Sequence, residues 1–160
     1  MIVRMVFPLI IVSFAAQSAQ AQTQLCPWLS TGSARTALGG DVTVTAHSQS
    51  NWEGSCRFAR QAAGVTQAID IQVSKVNSHP CPDGGMKLKA LGNEAVRCLG
   101  STSSGQRAEI IAGRVRDAYF VITATGLSQS EYAPPMEHSA DTYGASLIER
   151  LAEQVVGNLY

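Results

Sequence analysis

Short segments in which apolar and polar side chains alternate dominate this sequence and constrain its fold more than any other feature. The clearest is segment 68–76, where Ile69, Ile71 and Val73 alternate with polar residues. A period of two places the apolar side chains on one face of a β-strand. Similar patterns predict strands at 41–47 and 55–61, a short strand is predicted at 95–99, and two longer apolar runs at 107–115 and 118–125 predict a hairpin around Arg116-Asp117, which makes six strands. Short polar turns between neighbours favour antiparallel pairing, because parallel strands need long crossovers.

Two helices are predicted at the ends of this series of strands. A short helix at 33–38 follows Ser30-Thr31, either of which can act as the N-cap, and stops at Gly39-Gly40. A longer helix at 142–158 carries an apolar stripe at three- and four-residue spacing, made of Leu147, Ile148, Leu151, Val155 and Leu159. We therefore expect an α+β fold, with an antiparallel sheet of about five to six strands covered by a short N-terminal helix and a C-terminal helix.

The N-terminal residues have the pattern of an export signal. Arg4 gives a positive start, segment 5–16 is apolar but too short to span a bilayer, and Ala19-Gln20-Ala21 is a small-x-small cleavage pattern. We predict a signal peptide at 1–21, cleaved after Ala21, and a single exported domain at 22–160, in the periplasm or outside the cell. The remaining 139 residues are enough for one core and too few for two.

Charge argues against two classes of partner. The full sequence has 12 basic and 12 acidic side chains, interspersed with no long run of one sign. Nucleic acids and anionic lipids both select clustered Lys and Arg, so neither is expected as a partner. No second apolar run approaches the roughly 20 residues of a membrane helix, so no membrane span is expected after signal removal.

The four cysteines, Cys26, Cys56, Cys81 and Cys98, all follow the predicted cleavage site. An even count in an exported chain predicts two disulfides, for which three connectivities exist. Pairing in sequence order, Cys26 with Cys56 and Cys81 with Cys98, is favoured because it closes the shorter loops. Metal and redox sites are disfavoured, because the sequence has no CxxC motif.

Five short motifs occur along the chain: LCPWLST at 25–31, ALGG at 37–40, CRF at 56–58, LGNEA at 91–95 and the predicted hairpin at 114–121. Together they resemble motifs of exported bacterial cell-envelope domains and lipoproteins of unknown function. The resemblance implies a compact α+β domain of the bacterial envelope in which the first two cysteines are bridged. It implies no catalytic residues. The chain departs from many members of the group in lacking a lipobox cysteine and in having the second pair, Cys81 and Cys98.

The three histidines, His47, His79 and His138, do not form a catalytic motif. A nucleophilic set of Ser78, His79 and Asp83 can be drawn, but adjacency in sequence does not give catalytic geometry, and no GxSxG motif is present. Zinc binding by His79 and Cys81, together with His138 or Asp83, requires Cys81 to be unpaired. Histidines on surface loops account for all three, so no catalytic residue, cofactor or metal ligand is predicted.

Four residues are predicted to contact a partner. Arg114, Arg116 and Asp117 form a charge cluster at a predicted hairpin tip. Solvation and control of the strand register explain such a cluster first, and binding of anionic groups is the functional alternative. Trp52 lies in a polar loop, where an aromatic side chain has little reason to be buried, whereas Trp28 is expected to pack against the first disulfide. Tyr132 lies in a proline-containing loop.

We therefore expect a non-catalytic exported domain that binds a protein or a small ligand through loops on a disulfide-bridged scaffold. The long loops are predicted at 48–54, 77–91 and 126–141. The alternative is a secreted hydrolase or metalloenzyme that uses His79 and its neighbours.

Overall fold

A seven-stranded antiparallel sheet forms the framework of the protein. The computed structural model describes residues 25–78, 80–81, 85–127 and 146–160. The strands are β1 (Thr43–Ser50), β2 (Glu53–Ala62), β3 (Val65–Ser74), β4 (Met86–Leu88), β5 (Glu94–Ser101), β6 (Arg107–Val115) and β7 (Ala118–Thr125). They lie in the order β1-β2-β3-β7-β6-β5-β4, and all neighbours are antiparallel. The predicted signal peptide at 1–21 lies outside the described residues.

One face of the sheet carries the hydrophobic core. The cross-strand partners Ile71 and Ile122, with Phe58 and Phe120, are fully buried on this face. Phe120 lies over Gly113 of β6, where an added Cβ would come within 2.7 Å of the Phe120 Cζ atom. A glycine at this point gives the aromatic ring the space it needs against the sheet.

Two helices pack on this core face. Helix α1 (Thr31–Leu38) contacts β2 and β3, and helix α2 (Leu147–Leu159) contacts β6 and β7. Helix α1 begins at Ser30, whose hydroxyl accepts a hydrogen bond from the Ser33 amide, and ends at Gly39 in the left-handed conformation. The predicted start of the second helix, at 142–145, lies outside the described residues.

The helix α2 carries a capping box at its N-terminus. The Ser146 hydroxyl accepts a hydrogen bond from the Glu149 amide, and the Glu149 carboxylate accepts one from the Ser146 amide. Six apolar side chains of the helix are buried against the sheet, namely Ile148, Leu151, Ala152, Val155, Val156 and Leu159. The apolar stripe in the sequence therefore marks the face that packs on the core.

The disulfides join Cys26 to Cys56 and Cys81 to Cys98, which is the sequential connectivity. Cys26 and Cys56 are buried in the core and attach the segment before α1 to β2. Cys81 and Cys98 are half-buried and attach the segment after β3 to β5. Two disulfides indicate that the chain folds in an oxidising environment.

The prediction of five to six strands is wrong, because the sheet has seven. The additional strand, β4, has only three residues and lies in segment 77–91, for which the sequence predicts a loop. Three residues cannot establish a period of two, and an edge strand pairs through its backbone on one side only. The two helices also cover the sheet less fully than expected: Met86 and Leu99, which face the helix side near the β4 edge, are 44% and 66% exposed.

Candidate functional site

A groove lies on the face of the sheet opposite the two helices. Its floor contains Val96 of β5, Ala112 of β6 and Tyr119 of β7, which alternate along their strands with core-facing residues. Their positions follow from the period of two, since each neighbour in sequence points to the other face. We call this cavity of about 620 Å³ the open-face groove.

One wall of the open-face groove is the segment that follows β3. Asn77, Ser78, Pro80 and Cys81 line the groove, and the disulfide from Cys81 to Cys98 attaches this wall to β5. A covalent bond to the sheet limits how far the wall can move from the floor. The groove is therefore bounded by a rigid sheet on one side and an anchored segment on the other.

Charged side chains lie at the rim of the groove. Lys87 and Lys89 are exposed on the β4 side. Glu94 also lines the groove, and its carboxylate accepts a hydrogen bond from the Arg114 Nε atom at 3.1 Å. Because Arg114 offsets the charge of Glu94, the two lysines leave the rim positive. The groove thus combines a largely apolar floor with a cationic edge.

Among its described lining residues, the groove contains no recognisable catalytic set. Ser78 is exposed, but His79 and Asp83, the other members of the nucleophilic set considered above, lie outside the described residues. Cys81 is bonded to Cys98 and so cannot be a zinc ligand while oxidised. Within the ranges described, no group of three His, Cys, Asp or Glu side chains is placed to hold a metal ion. His47 is exposed on β1, and His138 is not among the described residues.

The structure brings together two of the four predicted contact residues. Trp52 and Arg116 line a second, smaller cleft at one end of the sheet. Arg114 lies apart from them, beside the open-face groove and paired with Glu94. Tyr132 lies outside the described residues. Trp52 is half-buried, and it packs against the core rather than projecting freely from a loop.

A buried charge network, which sequence reasoning missed, connects the sheet to α2. Arg97 of β5 contacts the Glu109 carboxylate of β6, and its Nη1 atom donates a hydrogen bond to Glu149 Oε1 at 3.1 Å. The Glu109 side chain is only 2% exposed. Burial raises the pKa of Glu109, and the positive charge of Arg97 opposes part of that rise. The available signal in the sequence was that Glu109 lies two residues before Ile111, so a period of two places both side chains on the core face.

We expect the contribution of Glu109 to stability to decrease as the pH rises. Its pKa in the folded state is above the unfolded value, so the folded protein binds the proton more tightly. The favourable contribution is therefore complete below the unfolded pKa and lost as the pH rises through the folded pKa. The measurement is the melting temperature of the wild type minus that of Glu109→Gln, followed from pH 4 to pH 7.

The difference in melting temperature should fall across this range. The control is Glu94→Gln, which alters an exposed ion pair on the other face and should change stability by less than about 1 kcal/mol. A difference in melting temperature that grows with pH would contradict a raised pKa of Glu109, because it would mean that the folded state favours the ionised carboxylate.

The family models, curated proteins and solved structures compared with this chain give no match. Among the described residues, neither helix has the length and apolar character needed to cross a bilayer. The open-face groove is therefore interpreted from its own geometry. One feature of the sequence could have predicted the floor of the groove. Val96, Ala112 and Tyr119 occupy the outward positions of strands whose inward positions form the core.

Proposed function

We propose that this protein is a non-catalytic binding protein that holds a small organic ligand in the open-face groove. The observation that carries the proposal is the groove itself, a cavity of about 620 Å³ with an apolar floor and an anchored wall. Small-molecule sites are usually concave and mostly apolar, with volumes of about 300 to 1,000 Å³ and a few polar groups that fix orientation.

The floor and rim indicate the chemistry of the ligand. Tyr119 is half-buried and offers an aromatic surface, with Val96 and Ala112 beside it. A flat apolar group packs well on such a surface. Lys87 and Lys89 at the rim would favour an acidic group on the same ligand. The proposed ligand is therefore a small amphipathic anion.

We further propose that the protein acts after export, in the periplasm or outside the cell. The leader-like pattern at 1–21 supports this location, and so do the two disulfides, which persist in oxidising compartments. A disulfide in the wall of the groove would also keep the site formed without a metal or a cofactor. The resemblance to exported envelope domains agrees with this proposal.

The proposal is tested with 8-anilinonaphthalene-1-sulfonate, an aromatic anion, and isotope-labelled protein. Amide resonances of Val96, Ala112 and Tyr119 should shift on titration, since they belong to the floor. Tyr119→Ala should weaken binding about tenfold, because it removes a stacked aromatic contact worth roughly 1 to 1.5 kcal/mol. The measurement is a chemical-shift titration of each variant.

Thr123→Ala is the matched control, because Thr123 lies on the same strand and face but outside the groove. It should bind the probe like the wild type. Shifts confined to the exposed residues Met86 and Leu99, or equal affinity in the Tyr119→Ala variant, would reject the groove. Turnover of 4-nitrophenyl acetate that disappears in His79→Ala would instead support the hydrolase alternative.

A further inference from the structure

We propose that a second cleft, distinct from the open-face groove, binds small aromatic monocarboxylates. This Trp52 cleft is lined by Trp52, Lys75, Arg116, Asp117 and Ala118 and has a volume of about 390 Å³. It shares no lining residue with the open-face groove. The inference goes beyond the function proposed above and can fail without affecting it.

Three separate turns or strand ends meet at the Trp52 cleft. Trp52 lies in the turn between β1 and β2, Lys75 directly follows β3, and Arg116-Asp117 forms the turn between β6 and β7. These positions lie at the same end of the sheet because the strands are antiparallel and in register: Gly54 pairs with Val73, and Val73 with Phe120. The fold thus gathers an aromatic ring and two cations that are distant in sequence.

Among the described residues, the two cations of the cleft have no carboxylate partner, whereas most arginines in the sheet and in α1 have one. Arg35, Arg57, Arg97 and Arg114 each form an ion pair with a carboxylate. Lys75 and Arg116 have no ion-pair partner within the described part of the chain. An anionic ligand would therefore gain two attractive charges without first displacing a protein carboxylate from either.

Arg116 is held in position from two sides. Its backbone has a φ of 52°, and its amide donates a hydrogen bond of 2.7 Å to Asn93 Oδ1. Its guanidinium carbon lies 5.4 Å from the centre of the Tyr160 ring. The left-handed φ suits the two-residue turn between β6 and β7, the Asn93 contact fixes the backbone amide, and the Tyr160 contact orients the guanidinium. Such positioning reduces the entropy lost when a ligand binds.

The remaining residues define the size and charge of the ligand. The half-buried Trp52 indole and the Ala118 methyl group give the cleft apolar walls, suited to a single aromatic ring. Asp117 contributes one negative charge against the two positive charges of Lys75 and Arg116. The net charge of the cleft lining is thus +1, which matches a monocarboxylate and disfavours cations.

The test uses 4-nitrobenzoate, because a nitroaromatic ring that stacks on an indole quenches its fluorescence. Trp28 is fully buried, so quenching reports on Trp52, and the Trp52→Phe variant should lose the signal. The uncharged 4-nitrobenzamide and the cationic 4-nitrobenzylamine are the matched probes. We expect the carboxylate to bind at least tenfold more tightly than either, since a charge-assisted hydrogen bond contributes about 1.5 to 3 kcal/mol.

Lys75→Gln and Arg116→Gln should each weaken binding of 4-nitrobenzoate about tenfold or more. Arg114→Gln, which removes a cation outside the cleft, and Thr123→Ala, which alters β7 away from both the cleft and the open-face groove, should retain wild-type affinity. The proposal is overturned if the three probes quench equally, if neither Gln variant changes the titration, or if Trp52 is not quenched up to the solubility limit of the carboxylate.

Discussion

Replacing Trp28 with alanine should lower the free energy of unfolding by about 3 to 5 kcal/mol. Trp28 is completely buried and belongs to the same core cluster as Cys26 and Cys56. Its Nε1–H donates a hydrogen bond of 2.7 Å to the Asn51 carbonyl oxygen. Alanine would leave a cavity and remove the donor from that carbonyl, and both effects destabilise the folded state.

The decrease in the free energy of unfolding of Trp28→Ala is measured by urea unfolding, monitored by far-ultraviolet circular dichroism. Trp52→Ala is the control, because Trp52 is only half-buried at the edge of the same core. Its cost should be clearly smaller, about 1 to 2 kcal/mol, because the cost scales with the apolar area that is buried and part of the Trp52 side chain stays in contact with water. Equal losses in the two variants would show that Trp28 is not the central residue of this part of the core.

Removing the disulfide between Cys26 and Cys56 should cost about 3 to 5 kcal/mol. The bond closes a loop with a sequence separation of 30, and both residues are 2% exposed. Freeing the loop increases the entropy of the unfolded chain, and alanines at both positions would leave part of the core unfilled. The double variant Cys26→Ala, Cys56→Ala tests this by thermal and urea unfolding.

Cys81→Ala with Cys98→Ala is the matched comparison. This bond closes a shorter loop, with a sequence separation of 17, and its cysteines are half-buried. We expect a loss of about 3 kcal/mol or less, because the loop term is smaller and little packing is lost. Weaker binding in the open-face groove should accompany it, since Cys81 is part of the groove wall. A larger loss of stability in this double variant than in Cys26→Ala, Cys56→Ala would contradict the expectation that the more buried disulfide contributes more.

The two disulfides therefore have different consequences for the site. The first attaches the segment before α1 to β2 within the core and acts on stability. The second attaches the wall of the open-face groove to β5 and acts on the shape of the site as well. Comparing the two double variants separates the loss of stability from the loss of binding.

Some parts of the fold could be predicted because the signal is local. The alternation of Ile69, Ile71 and Val73 indicates a strand with one buried face, and these three residues are buried in β3. The stripe from Leu147 to Leu159 indicates the buried face of α2. The short strand β4 could not be found in this way, because its pairing with β5 is visible only once the sheet is assembled.

The sites themselves could not be predicted, because their residues are distant in sequence. The sequence predicts Trp52 and Arg116 as two separate contact residues, but nothing in it indicates that they line one cleft. The network of Arg97, Glu109 and Glu149 likewise joins two strands and a helix. Each of these groupings depends on strand order, and strand order is set by contacts between segments rather than within them.

Which side chains share a face of a strand or helix follows from local sequence alone, since the periods of 2 and 3.6 residues are properties of the local backbone. The strand order, with β7 inserted between β3 and β6, depends on the assembled fold, and so does the choice of outward faces that form the floor of a groove. Any two strands can form the same backbone hydrogen bonds, so backbone pairing does not select a neighbour. The choice of neighbour comes from packing the whole core and from the two cysteine bridges.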